Sequence, residues 1–285
     1  MNKQFAYTLS EVLITLAIVG VVATMTLPVL INKINEKQYD RAREKALNTI
    51  GEAGRIIAIQ GDMNSATNTE DLVKNYLSKK LKIVKTCPPT KLTECGVPTK
   101  IKKIGGETVI SMPTNSNTSY GFLMANGYSV NLFYNPNCIV LGNLEKDVDY
   151  TNIRNSVCIN AIYDMNGLKN PNQIGKDIGF VTILYSNETS RAVAPNPYHV
   201  DMGLLTLSKA QKACSSLGKE YTLPNKEELI SMSYNSKLID NITTNAGYIS
   251  ASTHNGYVFR MFLSASFKGG WFGVGTSHYV RCVKR

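Results

Sequence analysis

Between Val12 and Ile31 the chain carries no charged residue. An apolar run of about 20 residues, wound as an α-helix, is long enough to cross the hydrocarbon core of a bilayer. From Ile31 onward the pattern changes. Apolar positions recur every three or four residues, at Ile31, Ile34, Ala42, Ala46, Ile50, Ala53 and Ile57. Lys33, Glu36, Lys37, Asp40, Arg41, Arg43, Glu44 and Lys45 fill the gaps, which is the signature of an amphipathic helix. The two patterns predict one long helix over 7–61, with a membrane span about 12–31, stopping around Gly61-Asp62. Thr69-Glu70-Asp71 opens a shorter helix through Leu72, Val73, Tyr76 and Leu77, with acids in its first turn.

From Thr108 the period shortens to that of strands: Thr108–Met112, Tyr120–Met124 and Tyr128–Tyr134. The last two flank Ala125-Asn126-Gly127, a hairpin signal. Further strands are expected at Cys138–Val140, Cys158–Tyr163 and Phe180–Tyr185. Together they predict an antiparallel sheet packed on the helix, over 62–190. Residues 191–204, with Pro195-Asn196-Pro197, read as a linker. Beyond it, Ser208–Leu217 is helical, and Asn225 caps a second helix with Glu227 and Glu228 in its first turn. Short strands rich in glycine and aromatics complete 205–285: Tyr248–Ser252, Tyr257–Leu263, Trp271–Gly275 and Tyr279–Val283. The fold class is therefore α+β, a long helix on an antiparallel sheet followed by a small α+β domain.

Glu11 sits at the outer edge of the apolar run. A carboxylate in lipid costs up to roughly 3 kcal/mol at the bilayer centre and less near an interface, so it calls for a partner. A cut between Ala6 and Tyr7 would create an amine one helical turn away, able to pair with Glu11 of the same chain or of a neighbour. Tyr7-Thr8-Leu9-Ser10-Glu11 ahead of a long apolar helix, behind a short leader with Lys3, resembles the prepilin-type cleavage and methylation segment of type IV pilins and type II secretion pseudopilins. Ala6 stands where that family usually has Gly, and Tyr7 where Phe is commoner. Pro28 falls where pilin helices often carry a proline. The resemblance implies a leader over 1–6, cleavage between Ala6 and Tyr7 by prepilin peptidase, N-methylation of Tyr7, and assembly through Glu11 and the helix. It further implies a single-pass inner-membrane protein of a bacterium before assembly, and a periplasmic or cell-surface filament of homologous subunits afterwards. A secretory signal is the plainer alternative. Only Val21-Val22-Ala23 approximates its exit, and apolar residues continue past it.

The tail has a resemblance of its own. Ala210, Cys214, Leu217-Gly218-Lys219, Leu223-Pro224, Glu227-Glu228-Leu229, Ile249–Thr253 and Val280-Arg281-Cys282-Val283 are similar in arrangement to the C-type-lectin-like module at the ends of bacterial surface proteins. That likeness implies a Cys214–Cys282 disulfide. Ile249-Ser250 replaces the family's usual Trp-Ser pair.

Composition sharpens the picture in two places. Thirty-one basic against 21 acidic residues give a net charge of +10, which favours acidic surfaces, nucleic acid or anionic lipid without choosing among them. Lys74, Lys79, Lys80, Lys82, Lys85, Lys91, Lys100, Lys102 and Lys103 concentrate that charge. A solvated face explains such a run, and a DNA contact is the sharper reading, although few aromatics interleave. Six cysteines outside the cytoplasm imply disulfides. Of the 15 pairings, the simplest is Cys87–Cys95, Cys138–Cys158 and Cys214–Cys282.

Chemistry has two weak candidates. Asp164, Asn166, Asn172 and Asp177 place oxygens along one loop that could surround Ca²⁺, although Lys169 occupies the sharp-turn position of an EF-hand and no Glu closes it. The alternative is a turn whose aspartates bond backbone amides. Trp271 among glycines could stack on a carbohydrate, or simply pack in a core. No nucleophile partners His199, His254 or His278 in sequence, so no enzyme is expected. The reading is a structural subunit of a type IV pilus or secretion pseudopilus, with the tail a candidate adhesive contact for protein or carbohydrate. The alternative is an anchored surface binding protein that does not polymerise.

Overall fold

The computed structural model describes residues 8–140, 156–186, 189–243, 246–263 and 269–285. The chain divides into two compact units, residues 1–41 and residues 42–285.

The apolar run opens helix α1 (Leu9–Ala46), which continues through Pro28 and whose residues up to Arg41 belong to the first unit. It belongs to one helical stretch, Leu9–Gln60, long and apolar enough to cross a membrane. Its apolar side chains, Leu13, Leu16, Val19, Met25 and Leu30 among them, are exposed. The threonines on it hide their hydroxyls: Thr15 donates to Val12 O, Thr24 to Val21 O and Thr26 to Val22 O, at 2.8–2.9 Å. A hydroxyl bonded to its own helix presents little polar surface to lipid.

The second unit is layered. After α1 a π turn (Leu47–Gly51) leads into α2 (Glu52–Gln60), which ends at Gly61 in the left-handed region, φ +77°, where glycine serves as the C-cap. Two short turns, α3 (Asp62–Ser65) and α4 (Thr69–Asp71), follow. The strands are β1 (Ile83–Cys87), β2 (Lys100–Lys102), β3 (Val109–Ser111), β4 (Ser119–Met124), β5 (Ser129–Val140), β6 (Ser156–Asp164), β7 (Ile178–Ser186) and β8 (Thr189–Val193). Six of them form an antiparallel sheet in the order β1-β4-β5-β6-β7-β8, with β2 and β3 pairing separately. The Asn-Gly signal makes the expected turn between β4 and β5: Gly127 has φ +87° and donates to Met124 O at 2.9 Å.

Strand alternation sends one set of side chains to each face. Ile159, Ala161, Tyr163, Val181 and Ile183 share a core with Ala42, Ala46, Ile50, Ala53 and Ile57, so the sheet covers the amphipathic stripe from Ala42 onward, whereas Ile31 and Ile34, expected to belong to it, are exposed. The opposite face is also apolar. Ile162, Phe180 and Leu184 pack with Leu229, Ile230, Tyr248, Phe259 and Met261 of the tail in a single core.

The tail is built from β9 (Asn196–Pro197), β10 (Leu204–Leu205), α5 (Leu207–Ser216), β11 (Tyr221–Thr222), α6 (Lys226–Tyr234), β12 (Gly247–His254), β13 (Tyr257–Phe262), β14 (Gly269–Gly273), β15 (His278–Tyr279) and β16 (Val283–Lys284). A five-stranded sheet runs β10-β15-β12-β13-β14, and a smaller one β11-β16-β9. Residues 191–204, read from sequence as a linker, instead supply the end of β8, all of β9 and the first residue of β10. The stretch looks irregular because its two-residue strands lie below the length at which alternation can be seen.

A chain of polar side chains crosses the core between sheet and tail. Asn160 and Asn235 exchange amide bonds at 3.0 and 3.1 Å, and Thr182 donates to Asn160 Oδ1 at 2.8 Å. Thr182 and Ser231 share a bond at 2.7 Å, and all four residues are buried. Such a network is tolerable in a core only when its members are satisfied, and here they satisfy one another.

Candidate functional site

The residues singled out by sequence fall in three places. At the start of α1, Thr8 occupies the position before the helix and Glu11 its first turn. Thr8 N and Thr8 Oγ1 donate to Glu11 Oε2 at 2.8 and 2.9 Å, while Glu11 N donates to Thr8 Oγ1 at 3.3 Å. This is a reciprocal capping box, which satisfies N–H groups that the first turn of a helix leaves without partners. Among the described residues Glu11 Oε1 takes no bond, so one carboxylate oxygen remains free for a second donor. Ala6 and Tyr7 lie outside the described residues. Pro28 stands within α1 among exposed apolar residues.

The second place is the loop from β6 to β7. Asp164, Asn166, Asn172 and Asp177 do come together, but they bond the loop to itself. Asp164 accepts from Asn166 N at 2.9 Å, and Asp177 accepts from Asn172 N and Gln173 N, both at 2.8 Å. With its amide nitrogen turned inward, Asn172 donates to Asp164 Oδ2, Gly167 O and Lys169 O, each at 3.2 Å. The carbonyls and carboxylate oxygen a hard cation would use are thus the ones that hold Asn172. Among the described residues no cluster of three His, Cys, Asp or Glu side chains is placed to hold a metal. Burial pushes the Asp164 carboxyl up to about 7, with the nearby Asp177 charge adding to it.

The third is the tail. Trp271 is half-buried and meets Phe259 edge-on, with ring centroids 5.6 Å apart, at the margin of the core shared with the sheet. His254 is exposed, and its ring lies against Trp271. His278 is buried and bonds Thr276 Oγ1 at 2.7 Å, and burial holds its imidazole below the usual range. Among the described residues no carboxylate bonds either imidazole.

Two disulfides join the expected partners, Cys87–Cys95 and Cys214–Cys282. Cys158 is disulfide-bonded as well; the side chain of Cys138, its expected partner, lies outside the described residues. The Asn225 cap is a capping box too, with Asn225 accepting from Glu228 N and Glu228 from Asn225 N. The basic run is exposed at Lys79, Lys80, Lys82, Lys100 and Lys102, whereas Lys74 pairs with Glu70, Lys85 and Lys91 with Glu94, and Lys103 with Asp240.

Sequence reasoning missed a buried ion pair. Arg281 is wholly buried; its Nε donates to Asp201 Oδ1 at 2.7 Å, Nη1 to Tyr198 O at 2.9 Å and Nη2 to Asn241 O at 2.6 Å. Tyr248 OH also donates to Asp201. The partners are up to 83 residues apart, which no local pattern can signal.

Residues 1–27 match the family described as the prokaryotic N-terminal methylation motif. The match indicates a prepilin-type N-terminus, consistent with an inner-membrane anchor before assembly, and implies processing by prepilin peptidase and assembly with other pilin subunits. No curated protein and no solved structure matches the chain. The likeness of the tail to C-type-lectin-like modules accordingly rests on its residues alone.

Proposed function

We propose that the chain is a structural subunit of a type IV pilus or type II secretion pseudopilus. It is cleaved between Ala6 and Tyr7, methylated on the Tyr7 amine, and assembled through α1, with residues 42–285 outside the membrane. The observation that carries this reading is the state of Glu11, held at the first turn of an exposed apolar helix with Oε2 bonded to Thr8 and, among the described residues, no bond to Oε1. Cleavage would put an amine one residue before Thr8. In a low-dielectric surrounding an amine–carboxylate pair is far stronger than in water, so the amine of an adjacent copy reaching Oε1 would set the axial register of neighbouring helices.

The capping box also favours a second reading. Because Thr8 already partners Glu11 within one chain, an anchored surface protein that never polymerises would not leave the carboxylate bare. The tail would then be its contact for protein or carbohydrate. One measurement separates the two. Mass spectrometry of the protein from native membranes finds a mature N-terminus at methylated Tyr7 if it is a filament subunit, and an intact Met1 if it is only an anchor. On the filament reading, Glu11→Ala inserts normally but is incorporated into filaments at least about tenfold less, the loss of a pair worth over 1 kcal/mol. Wild-type incorporation of that variant would remove Glu11 from the mechanism.

A further inference from the structure

The six-stranded sheet has two edges, and they are built differently. β1 is interrupted by a bulge between Ile83 and Lys85, and Lys85 pairs with Glu94 in the turn that the Cys87–Cys95 disulfide folds back beside it. Bulges and charges are the usual means of blunting an edge. β8 carries no bulge, and its single charged residue is Arg191. Its five residues pair in unbroken register with β7, from Thr182↔Val193 to Ser186↔Thr189, and contain neither proline nor lysine. Among the described residues no other backbone group bonds it.

A groove of about 310 Å³ lies along this edge. Its floor is Ser190, Arg191, Ala192 and Val193; Leu47, Asn48, Glu52 and Arg55 form one wall, Asn225 and Glu227 the other. Successive strand residues point to opposite faces, and here Ala192 packs toward the helix while Arg191 reaches Glu227 on the far side. Four consecutive residues can line one groove only if it follows the strand edge itself. Ser190 lies beneath this edge, 6% exposed, and among the described residues its Oγ has no hydrogen-bond partner.

We propose that the edge of β8 accepts an extended acidic peptide from another polypeptide as a seventh strand. Main-chain bonds would supply affinity and side chains the choice of sequence, as in other cases of strand addition. The acidic character follows from charge. Arg191 stands at the centre of the edge with its side chain 69% exposed, tied to Glu227 only at 3.3 Å, on a chain of net charge +10. A carboxylate opposite Arg191 makes a favourable cross-strand pair. A second copy of this chain fits poorly. Antiparallel pairing of β8 with itself about its centre sets Arg191 against Arg191, and the only other edge of this sheet is the bulged β1.

The test uses the full chain in detergent and a fluorescent, acetylated and amidated pentapeptide with threonine, valine, glutamate, threonine and valine in that order. Antiparallel pairing then sets its glutamate opposite Arg191 and its second threonine opposite Ser190. Saturable binding with a Kd below about 1 mM is expected. A peptide with lysine in place of glutamate binds at least about tenfold weaker, and the Arg191→Glu variant reverses that preference. Amide hydrogen exchange slows at residues 189–193 when the first peptide is present. Proline at Arg191 or at Ala192 removes one N–H from β8, and in one of the two that N–H points away from β7. That variant unfolds like the wild type and loses the peptide. Absence of saturable binding, equal affinity for both peptides, protection located elsewhere, or wild-type affinity in a folded proline variant overturns the proposal. None of these outcomes depends on how the N-terminus is processed.

Discussion

Asp164 is a carboxylate that the fold prefers to keep protonated. Its folded value of about 7 lies above the unfolded value near 4, chiefly through burial. The folded state therefore holds the proton more tightly. The contribution of this group to stability is fully present below pH 4 and is lost as pH rises through 7. Three pKa steps correspond to about 4 kcal/mol at most. Asp164→Asn keeps an acceptor for Asn166 N and cannot ionise, so its stability relative to wild type, measured by urea unfolding, rises between pH 4 and pH 8. A flat difference across that range would mean that Asp164 ionises freely in the fold. Arg281 is the opposite case, a buried charge already paired. Asp201→Ala leaves the guanidinium with carbonyls alone, and breaking one side of a buried pair costs about 3–5 kcal/mol. A loss under 1 kcal/mol in chemical unfolding would show that water replaces the carboxylate.

At the scale of the elements, helix and sheet fit closely. A Cβ on Gly51 would stand 2.7 Å from Ala192 Cβ, and one on Gly54 2.8 Å from Ile183 Cγ1. Alanine in an exposed helix gains about 1 kcal/mol over glycine, so the sign of Gly51→Ala is a contest. Overpacking of 1–3 kcal/mol prevails, since Ala192 Cβ has no rotamer to move into. The expected result is a net loss of about 1–2 kcal/mol, read as a lower melting temperature, and a gain would show that the strand shifts to make room. The amphipathic stripe itself was readable, because apolar residues at every third or fourth position are a local property. The need for glycine at 51 and 54 was not, since the atoms they avoid lie more than a hundred residues away in β7 and β8.

For the whole of residues 42–285, the tail is a layer of the core. It covers Ile162, Phe180 and Leu184 on the second face of the sheet and completes the Asn160–Thr182–Ser231–Asn235 network. A chain ending after residue 204 would expose that apolar face and leave Asn160 and Thr182 with partners missing. It is expected to aggregate or to be digested by protease under conditions in which the full chain survives. A truncated chain that stays monomeric and protected would show the first part to be an independent domain. The Cys214–Cys282 disulfide closes a separation of 68 residues, for which restriction of the unfolded chain contributes roughly 4 kcal/mol, and reduction should therefore loosen the tail more than loss of Cys87–Cys95 loosens its turn.

By itself the sequence determined what depends on neighbours along the chain: the apolar span and its amphipathic continuation, the Thr8–Glu11 spacing of the processing motif, the Asn126-Gly127 turn, the Asn225 cap and the α+β class. Each follows from a period of 3.6 or 2, or from a bond spanning three or four residues, and such interactions are written in order. The tertiary structure decided what depends on residues far apart. It buried the second face of the sheet, turned a supposed linker into strands, placed Arg281 beside Asp201, folded the oxygens of the Asp164 loop onto its own amides, and among the described residues left the β8 edge without a further strand. These rest on which surfaces meet, and burial changes the free energy of a polar or apolar side chain only after the meeting has occurred.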